Sequence, residues 1–328
     1  MPSAAAPAAK ASSKTTSKSG RPGGRPPGVA PVRKADFGDW IGGARLQTLP
    51  LAIAPVVLGA ASAYLYSHEG TGPGWHWLRA LGCLAVAVFL QIGVNFANDY
   101  SDGVRGTDKN RVGPRRLTAS GAARPRTVLI VALVFFALAA LAGLAIVYRT
   151  QLWWLIAVGA ACILAAWFYT GGKRPYGYAG FGELFVFVFF GIVATAGTTY
   201  VLVGTVNLES WLAGTAAGLF ACAVLMVNNI RDIGQDKLSG KRTLAVRLGD
   251  RPARIVFAVL VLVPFAILGF FVVFYPNAYL TYFTLLAALP AVLITLTAKT
   301  APELVLALRL TSLTALLYAV GVGWAIAF

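Results

Sequence analysis

Asp232 and Asp236 stand four residues apart in the stretch NNIRDIGQDKLSGKRTLAVRLG, Asn228 to Gly249, which sets two acids and five bases into an otherwise apolar chain. If the preceding apolar run stays helical, both carboxylates share one face, about 5 to 6 Å apart. Like charges that close raise each other's pKa unless a cation lies between them, so the pair either shares a proton or takes a metal ion. Asn228 and Asn229 add oxygen donors and no His or Cys is near, which favours a hard ion such as Mg2+ over zinc. Mg2+ on one or two carboxylates completes its shell with water and phosphate oxygens, so a phosphorylated substrate is expected.

A second acidic stretch reads NFANDYSDGVRGTDKNRVGPRRL from Asn95, with Asp99 and Asp102 one turn apart and Asn95 one turn before Asp99. Asn228, Asp232 and Asp236 repeat that pattern, NxxxD followed by another Asp one turn on. The recurrence points to two acidic pairs brought to one cavity, as internal repeats do in other membrane folds. Four carboxylates around one cavity can hold Mg2+ ions that clamp a diphosphate. Pairing with Arg105, Lys109, Arg231, Lys237 and Lys241 as surface salt bridges, each worth about 0 to 1 kcal/mol, does not account for the twin spacing. Asp108 follows Gly103 and Gly106, which are expected to end the helix, and is open to a loop-shaping role as well as a ligand role.

Around these acids, Arg105, Arg116, Lys173, Arg174, Arg231, Lys241 and Arg242 are candidates for phosphate oxygens that metal does not reach, with topology signalling as the alternative for each. The loop Y169TGGKRPYGYAGFGE joins two bases to Tyr169, Tyr176 and Tyr178. Tyrosine faces can stabilise a cation. Tyr178 is read as part of an interfacial aromatic belt, and Tyr169 and Tyr176 as site or belt.

The elements that must carry these residues are membrane helices. The chain is 58% hydrophobic and 12% charged, against about 25% charged in soluble domains. Apolar runs at 46–66, 77–98, 127–148, 152–169, 184–203, 211–228, 255–274, 279–297 and 304–328 lie near the roughly 20 residues a span needs. The expectation is an all-α, polytopic bundle of nine transmembrane helices, with kinks at Pro50, Pro55, Pro264 and Pro290. All but Arg79 and Arg149 of the 28 Lys and Arg fall on one side of that arrangement. By the positive-inside rule this puts the N-terminus and both acidic stretches in the cytoplasm and the C-terminus outside.

A net charge of +16 would suggest nucleic acid in a soluble domain, but no aromatic-basic motif is present and no nucleic-acid partner is expected. Cys83, Cys162 and Cys222 lie singly in apolar runs, and His68 and His76 lack metal-site spacing, so disulfide, zinc and haem chemistry have little support. Residues 1–35 are rich in Ala, Ser, Gly, Pro and Lys and read as a disordered basic tail lying against anionic lipid. Residues 36–328 form the membrane domain. A charged head at the membrane surface leading into an apolar bundle suits an isoprenyl diphosphate, whose leaving diphosphate and developing allylic cation the metal and bases stabilise.

With NFANDYSDGVRGTD, GPRRL, NNIRDIGQD and GKRTLAVRLG in hand, the chain resembles the UbiA superfamily of intramembrane aromatic prenyltransferases from about Trp40 to the C-terminus, and within it the branch acting on 1,4-dihydroxy-2-naphthoate. The resemblance implies that Asp99, Asp102, Asp232 and Asp236 bind Mg2+ and the diphosphate of a polyprenyl diphosphate, that Asn95 and Asn98 assist, and that the KRPYGY loop covers the site. The naphthoate branch further implies alkylation at the carboxylate-bearing carbon with loss of CO2, giving demethylmenaquinone. Arg45 is a candidate for the acceptor carboxylate, or snorkels to the interface. The alternatives are a UbiA-type enzyme using 4-hydroxybenzoate, homogentisate or a chlorophyll precursor, and a cation or lipid transporter. Against transport, the acids gather at one mouth instead of the membrane midplane.

Overall fold

The computed structural model describes residues 33–68, 74, 76–107 and 116–328. Asp108 and all of the expected tail except Arg33 to Ala35 lie outside them.

Regular structure among the described residues is helical throughout. A helix suits a lipid environment, which offers no water to unpaired backbone groups, because it pairs them within one segment. The order is α1 (Phe37–Ala44), α2 (Pro50–His68), α3 (Trp77–Arg105), α4 (Pro125–Thr150), α5 (Leu155–Phe168), α6 (Gly182–Val186), α7 (Ala194–Val203), α8 (Leu208–Leu238), α9 (Leu244–Leu248), α10 (Asp250–Phe274), α11 (Leu285–Thr297) and α12 (Ala301–Ala327). A π-helical turn at Phe187–Val193 joins α6 to α7, and 3-10 turns precede α2 and α11.

Eight helical segments among the described residues are long and apolar enough to cross a membrane, counting Gly182–Val203 and Pro276–Thr297 as one each. The run expected at 152–169 forms the 14-residue α5, about 21 Å long at 1.5 Å per residue and short of a hydrocarbon core of about 30 Å. Pro55, Pro264 and Pro290 lie inside helices. Pro50 opens α2, where its missing N–H costs nothing.

Two helices outrun their apolar segments. Hydropathy falls after residues 98 and 228, yet α3 continues to a left-handed cap at Gly106 (φ 73°) and α8 continues to Leu238, just before Gly240 (φ 75°). Both polar motifs are therefore helical, as their spacing requires.

α8 is the axis of the bundle, with α2, α7, α10 and α12 around it. Phe220 of α8, Phe265 of α10 and Tyr318 of α12 form a triangle of edge-on rings with centroids 5.2 to 6.1 Å apart. Tyr318 donates its hydroxyl to the Pro264 carbonyl at 2.9 Å, satisfying a polar group that burial would otherwise penalise. Small residues set the closest approach. A Cβ on Gly191 in the π turn would lie 2.5 Å from the Gly218 Cα, so only glycine lets this turn sit against α8. A second core, built on Phe96, Leu117, Val128 and Phe136, fixes α3 to α4.

Candidate active site

On α3 the buried side chains Gln91, Asn95, Asn98 and Asp102 recur every three or four residues and form one polar stripe down an otherwise apolar helix. Each is held from outside the helix. Asn95 donates to the Ala44 carbonyl at 2.9 Å and to Thr48 Oγ1 at 3.3 Å. Asn98 Oδ1 accepts the Thr170 hydroxyl at 2.7 Å. Asp102 accepts the Tyr178 hydroxyl at 2.5 Å and lies 3.2 Å from Lys241 Nζ.

Asp99, expected to bind metal beside Asp102, has a different set of partners. It is 1% exposed and accepts the backbone N–H groups of Leu117 and Thr118, both at 2.9 Å, one on each oxygen. Its carboxylate thereby fixes the backbone at Leu117 and Thr118, next to Arg116.

The α8 motif faces this stripe. Asn228, Asp232, Gln235 and Asp236 border the same cavity. Arg231 forks onto both oxygens of Asp232 (2.8 and 2.7 Å) and also donates to Asn228 Oδ1 at 2.8 Å. Gln235 reaches across to the Thr107 carbonyl at 3.3 Å, and the Lys241 backbone N–H donates to the Asp236 carbonyl at 2.9 Å. The two NxxxD helices thus meet at their C-terminal ends, and Lys241 touches both.

The loop after α5 closes a third side. Tyr178, read from the sequence as interfacial belt, stands on the cavity wall with Lys241 4.6 Å and Arg105 5.3 Å from its ring centroid. Its tie to Asp102 draws it in, a partner that spacing along the chain does not reveal. Burial, and next the Asp102 charge, push its phenol above the ordinary value, which keeps it a donor. Tyr169 and Tyr176 meet edge to face at 5.6 Å, and Tyr176 stacks on Phe185 at 4.0 Å. Burial raises both of these phenols as well.

The cavity measures ≈ 940 Å3. Of the residues singled out in the sequence, Arg45, Asn95, Asn98, Asp99, Asp102, Arg116, Tyr169, Tyr176, Asn228, Arg231, Asp232, Asp236 and Lys241 line it. Arg105 is turned instead to the Thr170 and Gly172 carbonyls, which pin the tyrosine loop to the end of α3. Lys173 and Arg174 are exposed on that loop and do not line the cavity, and neither does Arg242. Arg45 holds a left-handed backbone (φ 53°) between α1 and α2, a conformation costing about 1 to 3 kcal/mol that tends to be kept at functional sites.

Below this polar mouth the walls are apolar, with Ala139, Gly143, Val147, Gly159 and Phe189 among them. The donors at the mouth are carboxylate and carboxamide oxygens, which suit Mg2+. No three His, Cys, Asp or Glu among the described residues converge on one point, and an Mg2+ ion there would take part of its shell from phosphate and water.

Residues 52–303 match the UbiA prenyltransferase family. The chain belongs to that family. It is 47% identical over 295 residues to the 1,4-dihydroxy-2-naphthoate octaprenyltransferase of Mycobacterium tuberculosis, covering 90% of this chain and 98% of that protein. It is 39% identical over 255 residues to the enzyme of that name from Escherichia coli, covering 76% and 81%. In fold it is similar to a UbiA homolog from Aeropyrum pernix K1 (TM-score 0.62, 18% identity, 82% of this chain and 96% of that one). It is also similar to one from Archaeoglobus fulgidus bound to GPP and Mg2+ (TM-score 0.57, 16% identity, 87% and 99%).

Within this UbiA site, Gln91, Thr170 and Gln235 were not singled out in the sequence and Tyr178 was assigned to the interfacial belt, while Glu183, behind the cavity-lining Asn229, accepts the Asn229 amide at 3.1 Å. Gln91 carried a usable signal, standing four residues before Asn95 in the same spacing as the motif itself. Gln235 stands inside the NNIRDIGQD motif itself, whereas Thr170 and Tyr178 are joined to the α3 motif only through space.

Proposed function

We propose that this UbiA-family chain transfers a polyprenyl group from polyprenyl diphosphate to 1,4-dihydroxy-2-naphthoate, with Mg2+ as the metal. CO2 and diphosphate are released, and the product is demethylmenaquinone, formed as its hydroquinone. The observation that carries the proposal is the junction of the two NxxxD helix ends over one cavity, polar at its mouth and apolar below. The 47% identity with the mycobacterial octaprenyltransferase supports the naphthoate as acceptor.

Asp102, Asp232 and Asp236 would hold the metal ions, with Asn228 adding a neutral oxygen. When bound, the ions neutralise the diphosphate and make it a better leaving group. Arg231 and Lys241, paired with Asp232 and Asp102, would turn to the phosphate oxygens once metal takes those carboxylates. Asp99 acts by positioning Arg116. As the C1–O bond breaks with its electron pair leaving on diphosphate, the faces of Tyr169 and Tyr176 stabilise the allylic cation. The ring carbon bearing the carboxylate bonds to C1, and the electron pair freed by CO2 loss restores the ring. Arg45 orients the carboxylate beforehand.

The reading places the mouth toward the cytoplasm, since the bases flanking both motifs follow the positive-inside pattern. Residues 36–328 would be the catalytic membrane domain and the tail before it a lipid-facing segment. The test is to incubate the purified protein with a labelled prenyl diphosphate, Mg2+ and each acceptor in turn. CO2 release with the dihydroxynaphthoate supports the assignment. Prenylation of 4-hydroxybenzoate or homogentisate in its place would overturn it.

A further inference from the structure

Gln91 is the deepest member of the α3 stripe, 5% exposed and lining the cavity. It lies three turns, about 16 Å of helix, below Asp102. Its Nε2 donates to Thr48 Oγ1 at 2.8 Å. The Thr48 hydroxyl spends its own proton on the Arg45 carbonyl at 2.9 Å, so its oxygen can only accept. This fixes which way the carboxamide faces, because the flipped amide would set two acceptors against each other. The remaining Oε1 is buried with no hydrogen-bond partner among the described residues. Its neighbours on α3 along the cavity wall, Ala87, Leu90 and Val94, carry no side-chain donor. An acceptor left so is destabilising unless an occupant brings a hydroxyl or N–H to it.

Of the substrates in the reading above, the prenyl tail carries no donor and the diphosphate is ionised. Only the aromatic acceptor brings hydroxyl groups. With its carboxylate-bearing carbon at C1 near the mouth, the 4-hydroxyl, meta to that carbon, is the one free to point down the cavity. We propose that Gln91 selects and orients the acceptor by taking a hydrogen bond from the ring hydroxyl remote from the carboxylate. The inference rests on the naphthoate reading.

The test compares 1,4-dihydroxy-2-naphthoate with 1-hydroxy-2-naphthoate, which lacks that hydroxyl, as substrates and as competitors in the full-length wild type and in Gln91→Met. The missing hydroxyl also lowers ring reactivity, but equally in both proteins, so the change in preference between them isolates Gln91. We expect Gln91→Met to lower kcat/KM for the dihydroxy acid roughly 5- to 30-fold, the size of one buried hydrogen bond. The monohydroxy acid and the KM for prenyl diphosphate should be nearly unchanged. An unaltered preference, or an equal loss on both acids, overturns the proposal. Thr48→Val, which releases the carboxamide, should erode the same preference. A preference kept intact there overturns it even where Gln91→Met does not fold. A wild type that prenylates neither naphthoate but does prenylate another aromatic acid rejects the acceptor reading, and this proposal with it.

Discussion

Lys241 Nζ lies 3.2 Å from Asp102 Oδ2 while the Lys241 backbone N–H is bonded to the Asp236 carbonyl, so one residue spans the two acidic motifs. Metal on Asp102 would displace this ammonium toward the phosphate oxygens. Lys241→Met should therefore lower kcat by about 100- to 1000-fold, the usual loss for one electrostatic donor to a developing charge. Single-turnover release of diphosphate measures it, and an effect below threefold would assign Lys241 to topology alone.

Asp102→Asn and Asp236→Asn keep the shape of the side chain and remove the charge. Each should abolish Mg2+-dependent prenyl transfer while leaving the melting temperature within a few degrees of wild type. Activity titrated against Mg2+ in both variants checks this, and near-wild-type turnover in either would exclude that residue from the metal site.

Asp99→Ala should behave otherwise. It strands the buried N–H groups of Leu117 and Thr118, at about 1 to 3 kcal/mol each. Both stability and activity should fall, and protease susceptibility of the 116–124 segment should rise. Lost activity with an unchanged melting temperature would return Asp99 to the role of a simple metal ligand.

The Tyr178 phenol is pushed above its ordinary value of 10.0, first by burial and then by Asp102. In this direction the neutral donor is favoured by the fold. The neutral phenol that donates to Asp102 is kept up to a pH of about 10 and is lost only as pH rises through the raised value. Tyr178→Phe should thus reduce activity by the same factor at pH 7 and pH 9. A deficit that shrinks at pH 9 would show the phenol already titrating.

Gly159 lines the apolar depth of the cavity, and a Cβ there meets nothing within 4 Å. Gly159→Leu should therefore fold normally and intrude on the space for the prenyl tail. Its kcat/KM should drop for long-chain diphosphates and hold for geranyl diphosphate, and an equal effect on both would place the tail elsewhere.

The membrane class and the two acidic motifs were legible in the sequence because they depend on local patterns. Apolar runs report burial in lipid, and Asp at helical intervals reports a shared face. The helix ends were less legible, since hydropathy stops at the membrane surface while α3 and α8 continue beyond it through polar residues. Helix packing, in contrast, settled which side chains face one another. Asp99 and Asp102 look equivalent in sequence, yet one holds the backbone at Leu117 and the other faces Lys241 across the mouth. Arg105 and Arg231 look alike as phosphate candidates, yet one pins the tyrosine loop and the other sits on Asp232. Tyr178 and Gln91 owe their places to partners 76 and 43 residues away. Such contacts are set by helix packing, and spacing along one strand of chain does not encode them.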